Sequence, residues 1–591
     1  MTEHAGSLPD GRAPRASRTL LLSLAAVAVA FAAADTYVVV LALPEMMNAV
    51  GVPVDQLQRA APIVSGFLLG YVAMLPLIGR VADLRGRVPV LTAALVLFAV
   101  GSLVTTLAYD MPSMVGGRFL QGVGGGGLVP ATLALVADLY PVERRGVPLG
   151  VVSAVQELGA VVGPLLGAVV LAVADWRAIF ALNLAVGLVL AAAIRAAGGR
   201  SGRRRVVDVP GVLLLLLLVA AGGLVFVQPP PLMRDLTWGR LFIPVLGSGR
   251  WLTPLGLVAV GALVLLVLRC LTARRPLVDL RGWGAALREA DLPGSALLAA
   301  TLGGVILAFA TADPKVQVFS AQGVWYLIAA ALAAAALVVH LRRATAPLVP
   351  RGALRRTPAW GAVLVSFFVG AALIAALIDI PLFARTTVHG DSQLLAALVL
   401  VRFLVALPVG AVLGGYLLRH LPAGPVTALG MLGAAGAFVL MSRWGLTSLE
   451  QASSTLPLLL GGLGFGLALA PVNAAVLAAT DDDVHGLASA FVVVARMVGM
   501  LVGISALTTI GLRRYYAEQA DLPGVREVCE GRSRCADFTL LLKEAGIAQE
   551  QTVFVGAALC AVVAAVLALV LLRDAVPRAR QGPPVGTSLA P

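Results

Sequence analysis

Charged residues are scarce in this chain. Asp, Glu, Lys and Arg together make up 13% of its 591 residues, whereas 59% are hydrophobic. Soluble globular domains carry about 25% charged residues. The composition therefore excludes an ordinary soluble protein.

Cysteine and histidine are also rare, with four and five copies. Neither residue type shows the close spacing of zinc ligands or an HExxH pattern, so a metal site has no support. The glycine run 124–127 lies in an apolar segment and is not followed by Lys-Ser or Lys-Thr, which excludes a phosphate-binding loop. We expect neither an enzyme nor a cofactor-binding protein.

Long apolar stretches are what the chain has instead. A membrane-crossing helix needs about 20 apolar residues, and sixteen stretches meet this requirement, which predicts an all-α membrane protein. Arg12, Arg15 and Arg18 precede the first stretch without a small-residue cleavage site, so we interpret it as a retained span and not as a signal peptide. The predicted helices lie near 19–41, 60–79, 89–109, 113–138, 147–172, 177–197, 210–228, 252–271, 292–312, 322–341, 358–383, 394–418, 424–442, 455–479, 487–514 and 551–573.

Positive charge is distributed unevenly among the predicted loops. With the N-terminus placed inside, about 27 of the 44 Lys and Arg residues fall in cytoplasmic loops or tails and about 14 fall outside. Cytoplasmic loops of membrane proteins are enriched in these residues. The net charge of +13 is therefore explained by the membrane topology and does not indicate nucleic-acid binding. We expect a multi-pass protein of a bacterial cytoplasmic membrane with both termini in the cytoplasm.

The predicted spans form two groups of six with a linker between them, a plan common among secondary transporters. The linker contains a candidate tandem repeat, because Asp208–Gly211 (DVPG) and Asp291–Gly294 (DLPG) each start a pair of spans that is followed by Pro-Leu-Val. The similarity is short enough to arise by chance, and a linker hairpin that does not cross would reduce the count to fourteen spans. The predicted segments are a tail 1–18, a first half 19–197, a linker 198–357, a second half 358–573 with an outer loop 515–550, and a tail 574–591.

Two of the cysteines, Cys529 and Cys535, lie in the predicted outer loop. An oxidising compartment permits a disulfide between them. Two free thiols remain the alternative.

Ionisable residues inside apolar segments are the strongest functional signal. Asp35 lies in the apolar stretch 20–43, and Glu157 and Arg496 lie in similar surroundings. A charge at the bilayer centre costs at least about 2.5–3.5 kcal/mol, so such residues are functional candidates by default. Two acids and one base at this depth predict a proton- or ion-coupled transporter.

Each of these residues also has a structural interpretation. Asp35 could be a structural acid that is paired with Arg118. Glu157 and Arg496 could pair with each other, and such a pair between the two halves would still act as a gate, because it must break when the halves separate.

The segment Gly79–Arg87 (GRVADLRGR) joins the second and third predicted helices. Asp83 can accept hydrogen bonds from the N-terminus of a neighbouring helix or pair with arginines such as Arg85 and Arg87. The segment therefore predicts a latch that opens when the halves move. A solvated charged loop is the alternative.

Two glycine-rich segments predict close helix packing. Arg118 lies one-third of the way into the fourth helix, ahead of its glycine run, and is a gating candidate. In the fifth helix, Gly159, Gly163, Pro164 and Gly167 combine small residues at intervals of four with a proline that can bend the helix.

These three segments resemble the loop, fourth-helix and antiporter motifs of the major facilitator superfamily. The segment Trp176–Asn183 and Asp208–Gly211 resemble its drug:proton antiporter subgroup with extra linker helices. The resemblance implies the major facilitator fold, with two six-helix halves plus linker helices.

A narrower resemblance is to mycobacterial triacylglyceride exporters that work with an outer-face lipid-binding lipoprotein. It rests on segments that begin at Asp35, Gln156, Ile378, Ala406, His485 and Val492. It implies that Asp35, Glu157 and Arg496 are central to proton coupling. The chain departs from these exporters by a second linker hairpin, around 206–290.

We therefore expect proton-coupled export of a lipid or an amphipathic molecule, driven by the proton gradient without a cofactor. A multidrug:proton antiporter and a transport-inactive lipid sensor or scaffold are the alternatives. Asp379 and Arg402, in the second half, are further possible site residues.

Overall fold

The structure is a computed structural model that describes residues 15–52, 57–198, 208–245, 247, 249–310, 322–388, 393–530, 532 and 535–573. Across these residues the regular structure is helical, with no β-strand. The α-helices are α1 (Arg15–Ala49), α2 (Leu57–Arg85), α3 (Arg87–Thr106), α4 (Met111–Leu139), α5 (Gly146–Val173), α6 (Trp176–Ala197), α7 (Val209–Val227), α8 (Pro230–Arg234), α9 (Pro254–Thr272), α10 (Leu280–Glu289), α11 (Leu292–Ala310), α12 (Gly323–Arg343), α13 (Thr357–Thr386), α14 (Gln393–Leu417), α15 (Ala423–Met441), α16 (Thr455–Ala479), α17 (His485–Ala520), α18 (Val525–Val528) and α19 (Ala536–Leu571).

Each predicted span coincides with one long helix of the structure, and several of these helices extend beyond the predicted bounds. By length and hydropathy, 14 helices of the described residues can cross a membrane, and the bent pair α10–α11 adds a fifteenth. The all-α membrane fold is thereby confirmed. Helix α5, some of whose side chains lie outside the described residues, has 28 residues and extends about 42 Å, so it remains the predicted sixteenth span.

The two groups of six helices repeat one packing scheme. In the first group α1 packs on α5, α2 and α3 pack on α4, and α3 also packs on α6. In the second group α13 packs on α17, α14 and α15 pack on α16, and α15 also packs on α19. Corresponding helices therefore occupy corresponding places in the two halves.

The halves meet along α2 with α17 and along α5 with α14. Where α2 approaches the start of α17, a Cβ atom on Gly79 would lie 2.5 Å from the carbonyl oxygen of Gly486. A side chain at Gly79 would force the two backbones apart. We call this end of the bundle, where α2 ends and α17 begins, the gate end.

The first linker hairpin, α7–α9, is fastened by Asp208. Its carboxylate caps α7 by accepting from the Gly211 amide at 3.3 Å and also accepts from the Leu277 amide beyond α9 at 3.2 Å. Arg269 of α9 completes the set with an ion pair of 3.0 Å. One carboxylate thus joins both ends of the hairpin.

The second hairpin, α11–α12, is fastened in the same way by Asp291. It accepts from the amides of Gly294 at 3.0 Å and Leu348 at 2.9 Å, and it contacts His340 Nε2 at 2.8 Å. Asp and Gly of the repeated start and Leu of the repeated Pro-Leu-Val therefore make the same contacts twice, which favours duplication over chance.

The two hairpins differ in what they pack against. Helix α11 lies against α2 and α17, so the second hairpin covers a seam between the halves. The first hairpin packs chiefly on itself, with a contact to the α3–α4 turn, where Arg250 stacks on Tyr109 at 3.9 Å from the ring centroid.

Helices α17 and α19 have 36 residues each, which corresponds to about 54 Å. A hydrocarbon core of about 30 Å cannot contain that length, so both helices project beyond it at the end opposite the gate. Their connection contains Cys529 and Cys535, which form a disulfide with a Cα–Cα distance of 5.5 Å.

Candidate functional site

Asp35 lies at the centre of a buried polar network in the first half. Arg118 of α4 contacts one carboxylate oxygen with a distance of 2.7 Å between Nη1 and Oδ2, and Asn183 of α6 donates to the other oxygen. The side chains of Asp35 and Arg118 are 0% and 1% exposed. The carboxylate charge is therefore neutralised inside the protein.

Arg118 is fixed by further contacts within the same half. Its Nη1 donates to Gln121 Oε1 at 3.0 Å, and Gln121 in turn donates to Ser102 Oγ at 2.8 Å. The guanidinium carbon lies 4.4 Å from the ring centroid of Phe67. The Asp35–Arg118 pair thus belongs wholly to one rigid group of helices.

Glu157 and Arg496 form a contact of a different kind, because α5 belongs to the first half and α17 to the second. The distance between Arg496 Nη1 and Glu157 Oε1 is 3.7 Å, and the two side chains are 10% and 13% exposed. The atoms of this ion pair lie farther apart than those of the Asp35–Arg118 pair, and its side chains are more exposed. It joins the halves through a single pair of atoms.

A small cavity of about 20 Å³ adjoins Arg496 between the halves, which is enough for about one water molecule. Helices α4, α5, α13, α16 and α17 line it with apolar side chains and a few polar ones. Asn473 contributes a buried Oδ1 atom that has no hydrogen-bond partner in the described part of the chain. The polar lining residues are Ser153, Gln156, Ser366, Asn473 and Arg496.

Asp83 closes the gate end by binding the first turn of α17. Its two oxygens accept from the backbone amides of Gly486 at 2.8 Å and Leu487 at 3.0 Å. Amides in the first turn of a helix have no partner inside the helix, and the helix dipole there favours an anion. Asp83 of one half therefore caps a helix of the other.

Arginines beside Asp83 strengthen this contact. Arg87 binds Asp83 Oδ1 at 2.8 Å and donates to the carbonyl oxygen of Asp482 at 3.2 Å. Arg80 donates to the carbonyl oxygen of Asp483 at 3.0 Å. Because four hydrogen bonds join the segment to the second half, it has the geometry of a latch.

The remaining gating candidates lie elsewhere. Arg85 pairs with Asp279 of the linker at 3.0 Å and lies 5.0 Å from the ring centroid of Trp283 on α10. Arg118 lies with Asp35, as described above. The structure thus assigns Asp83 and Arg87 to the latch and connects Arg85 to the linker.

The glycine motif of α5 packs tightly against α1. A Cβ atom on Gly159 would lie 2.1 Å from the carbonyl oxygen of Ala30, and one on Gly163 would lie 2.5 Å from that of Ala34. The motif therefore fixes the spacing of the helices that carry Asp35 and Glu157. Gly167 is buried, and the side chain of Pro164 lies outside the described residues.

The two further candidates have separate surroundings. Arg402 donates to Thr455 Oγ1 at 3.2 Å on an exposed surface. Asp379 is buried, and its side chain contacts Glu550 of α19. The sequence did not single out Glu550, because the last helix was predicted to start at residue 551, whereas it starts at Ala536. Asn183 was also missed as a partner, although it ends the segment that carries the antiporter resemblance.

Comparison with known proteins agrees with this architecture. The sequence model of the Major Facilitator Superfamily matches residues 25–339. The chain is 35% identical to a triacylglyceride transporter of Mycolicibacterium hassiacum over 87% of this chain and 85% of that protein. It is 32% identical to one of Mycolicibacterium smegmatis, over 94% and 88%, and 33% identical to one of Mycobacterium tuberculosis, over 85% and 84%.

Solved structures support the fold. A proton:xylose symporter of the superfamily matches with a TM-score of 0.52 and 15% identity, over 93% of this chain and 95% of that one. The human organic anion transporter MFSD10 matches with a TM-score of 0.51 and 14% identity, over 94% and 100%.

Proposed function

This chain belongs to the major facilitator superfamily, and we propose that it is a proton-coupled secondary transporter that exports triacylglyceride-like lipids or other amphipathic molecules. The observation that carries the substrate class is the identity of 32–35% to proteins named triacylglyceride transporters across most of both chains. The chain is not expected to be an enzyme.

The gate end is proposed to face the cytoplasm, as the distribution of Lys and Arg favours. Both termini then lie in the cytoplasm, and the closed latch at Asp83 corresponds to an outward-facing state. Helices α17 and α19 would project from the outer face, where a lipid-binding lipoprotein would receive the product.

The Glu157–Arg496 pair supports the proposed coupling step. When the halves rock, a contact between α5 and α17 has to open. Protonation of Glu157 removes its charge and its attraction to Arg496, so binding of one proton would favour opening of the pair. Release of the proton would restore the lock.

Asp35 is proposed to be a second coupling acid. Its ion pair lies within one half and does not have to break when the halves move. Protonation of Asp35 would instead free Arg118 locally and rearrange the network with Gln121 and Asn183. Asp83 and Arg87 would couple these events to the gate.

Transport by the purified full chain in proteoliposomes tests this function. We expect a fluorescent triacylglyceride to move only when a proton gradient is imposed, and we expect Glu157→Gln to abolish the gradient dependence. Movement of a small cationic dye without movement of the lipid would instead identify a multidrug:proton antiporter. Lipid binding without any gradient-dependent movement would identify a sensor.

A further inference from the structure

Two acidic side chains contact each other inside the second half. Asp379 lies on α13 and Glu550 on α19, and their carboxyl groups contact each other across the interface of these two helices. Asp379 is 6% exposed and Glu550 is 1% exposed. These helices are the first and the last of the second half.

A hydrogen bond between two carboxyl groups requires a proton. An ionised carboxylate only accepts, so at least one partner has to be protonated to donate. Two like charges in contact at a buried position also disfavour double ionisation, as in carboxylate pairs that share one proton. The contact between Asp379 and Glu550 therefore points to a bound proton.

The second oxygen of Glu550 supplies independent support. Glu550 Oε2 is buried and has no donor among the described residues. Its Oε1 receives a hydrogen bond of 3.3 Å from Gln549. A full negative charge so poorly solvated would be costly, whereas a protonated carboxyl group at this position would not carry that cost.

The surroundings are aromatic. Phe383 and Phe554, each one helical turn after one of the acids, are both fully buried, and their ring centroids lie 6.4 Å apart. Trp444 contacts Phe383 with a centroid distance of 5.4 Å. These rings exclude water from the interface and provide no countercharge.

Charged groups on the helices packed against the pair are engaged elsewhere or form no ion pair with it. Arg496 pairs with Glu157, Arg514 pairs with Glu518, and Arg402 binds Thr455. In the described part of the chain, no salt bridge reaches Asp379 or Glu550 from any charged side chain of these helices. Those side chains are Arg385, Arg402, Arg496, Arg513, Arg514, Glu518, Asp537, Lys543 and Glu544.

We propose that Asp379 and Glu550 bind one shared proton, which clasps α19 to α13. This protonation site differs from Asp35 and Glu157, which each face an arginine. Loss of the proton would place two like charges in a buried contact and would loosen the last helix, which projects beyond the membrane core. The proposal does not depend on the identity of the substrate.

Thermal unfolding of the purified full chain tests the site between about pH 5 and pH 9. Carboxyl groups of an unfolded chain release their protons near pH 4. A folded chain that retains one proton above this pH becomes less stable as the pH rises. We expect the unfolding temperature of the wild type to fall by a few degrees over this range.

Glu550→Gln and Asp379→Asn should flatten this dependence. In each variant the amide donates to the remaining carboxylate, so the hydrogen bond persists without a shared proton. The matched control is Glu544→Gln, on the same helix but exposed, which should retain the slope of the wild type. If either amide variant retains the full slope, the shared proton is refuted.

An infrared measurement guards against variants that do not fold. The spectrum of the wild type at neutral pH should contain the C=O band of a protonated carboxyl group that Glu544→Gln retains and Glu550→Gln lacks. The absence of this band from the wild type would overturn the proposal.

Discussion

Asp35 and Glu157 are both acids in apolar helices and both face an arginine, yet their partners differ in origin. Asp35 binds Arg118 at 2.7 Å inside the first half, with Asn183 as a second donor. Glu157 reaches Arg496 of the other half at 3.7 Å. One contact can be carried unchanged through a rocking motion, and the other cannot.

The difference separates two uses of buried charge. A fully buried pair with several hydrogen bonds fixes the arrangement of helices, and removing one partner leaves an uncompensated charge. A long pair with partial access to water contributes less to stability, but it distinguishes the two states of the transporter. Contacts inside a half should therefore govern folding, whereas contacts between the halves should govern transport.

The largest expected effect is on stability and comes from Arg118→Met. The variant leaves Asp35 buried without its cation, which costs about 3–5 kcal/mol. We expect little folded protein, measured as the monodisperse fraction after purification and as a lower unfolding temperature. The double variant Asp35→Asn/Arg118→Met should recover much of the loss, because it removes both charges.

The same double variant also tests whether Asp35 couples protons. If it restores the fold but not transport, Asp35 has a role beyond its ion pair. If it restores both, Asp35 is a structural acid and the proposed coupling falls to Glu157 alone.

Glu157→Gln should have the opposite profile. Its carboxylate is 13% exposed and makes one long contact, so we expect a smaller loss of stability than for Arg118→Met. Transport should fall by about tenfold, since about 1.4 kcal/mol of differential stabilisation is lost. Proteoliposome flux and thermal unfolding measure the two effects.

Arg496→Gln provides the cycle that tests the pairing. If Glu157 and Arg496 act together, the double variant should be no worse than the single ones. Strictly additive losses in flux would contradict the pairing of Glu157 with Arg496, because they would show that the two residues act separately.

Asp83→Asn should have a smaller effect, again on the balance between states. The amide can still accept from one backbone amide of α17, but it loses the charge that favours the helix N-terminus. Loss of a negative charge at a helix N-terminus costs about 0.3–1 kcal/mol, which shifts the closed population by up to about fivefold. Distances between spin labels at the gate end of α2 and α17 would report the shift, and Asp110→Asn, which makes the same change at a helix cap inside the first half, should leave them unchanged.

The sequence was sufficient for features that depend on hydrophobic length and local motifs. The long helices, the repeated linker hairpins and the binding of Asp83 to a helix N-terminus follow from apolar runs and from the chemistry of a carboxylate beside arginines. The resemblance to mycobacterial triacylglyceride transporters is confirmed by relatives at 32–35% identity.

The sequence suggested the pairs Asp35–Arg118 and Glu157–Arg496, which the structure contains, but not the contact between Asp35 and Asn183. Asp35 and Asn183 are 148 positions apart, and nothing local to either residue indicates the contact. Glu550 was assigned to the outer loop because a window of apolar residues starts only after it, although the helix continues through polar residues outside the membrane. Helix ends that extend beyond the bilayer are invisible to an apolar count.

The smallest expected effect comes from removing the disulfide between Cys529 and Cys535. It tests the same rule, that contacts inside one half govern stability and contacts between the halves govern transport. The disulfide lies within the second half, in the connection between α17 and α19, so the rocking motion does not have to break it. Closing so short a loop contributes at most about 2 kcal/mol in the chain-entropy model, and this contribution concerns local unfolding of the outer connection. We therefore expect Cys529→Ala/Cys535→Ala to increase hydrogen exchange in residues 521–540 while the lipid flux stays within about twofold of the wild type. A loss of flux as large as that of Glu157→Gln would show that a contact inside one half can control transport, and the distinction drawn from Asp35 and Glu157 would fail.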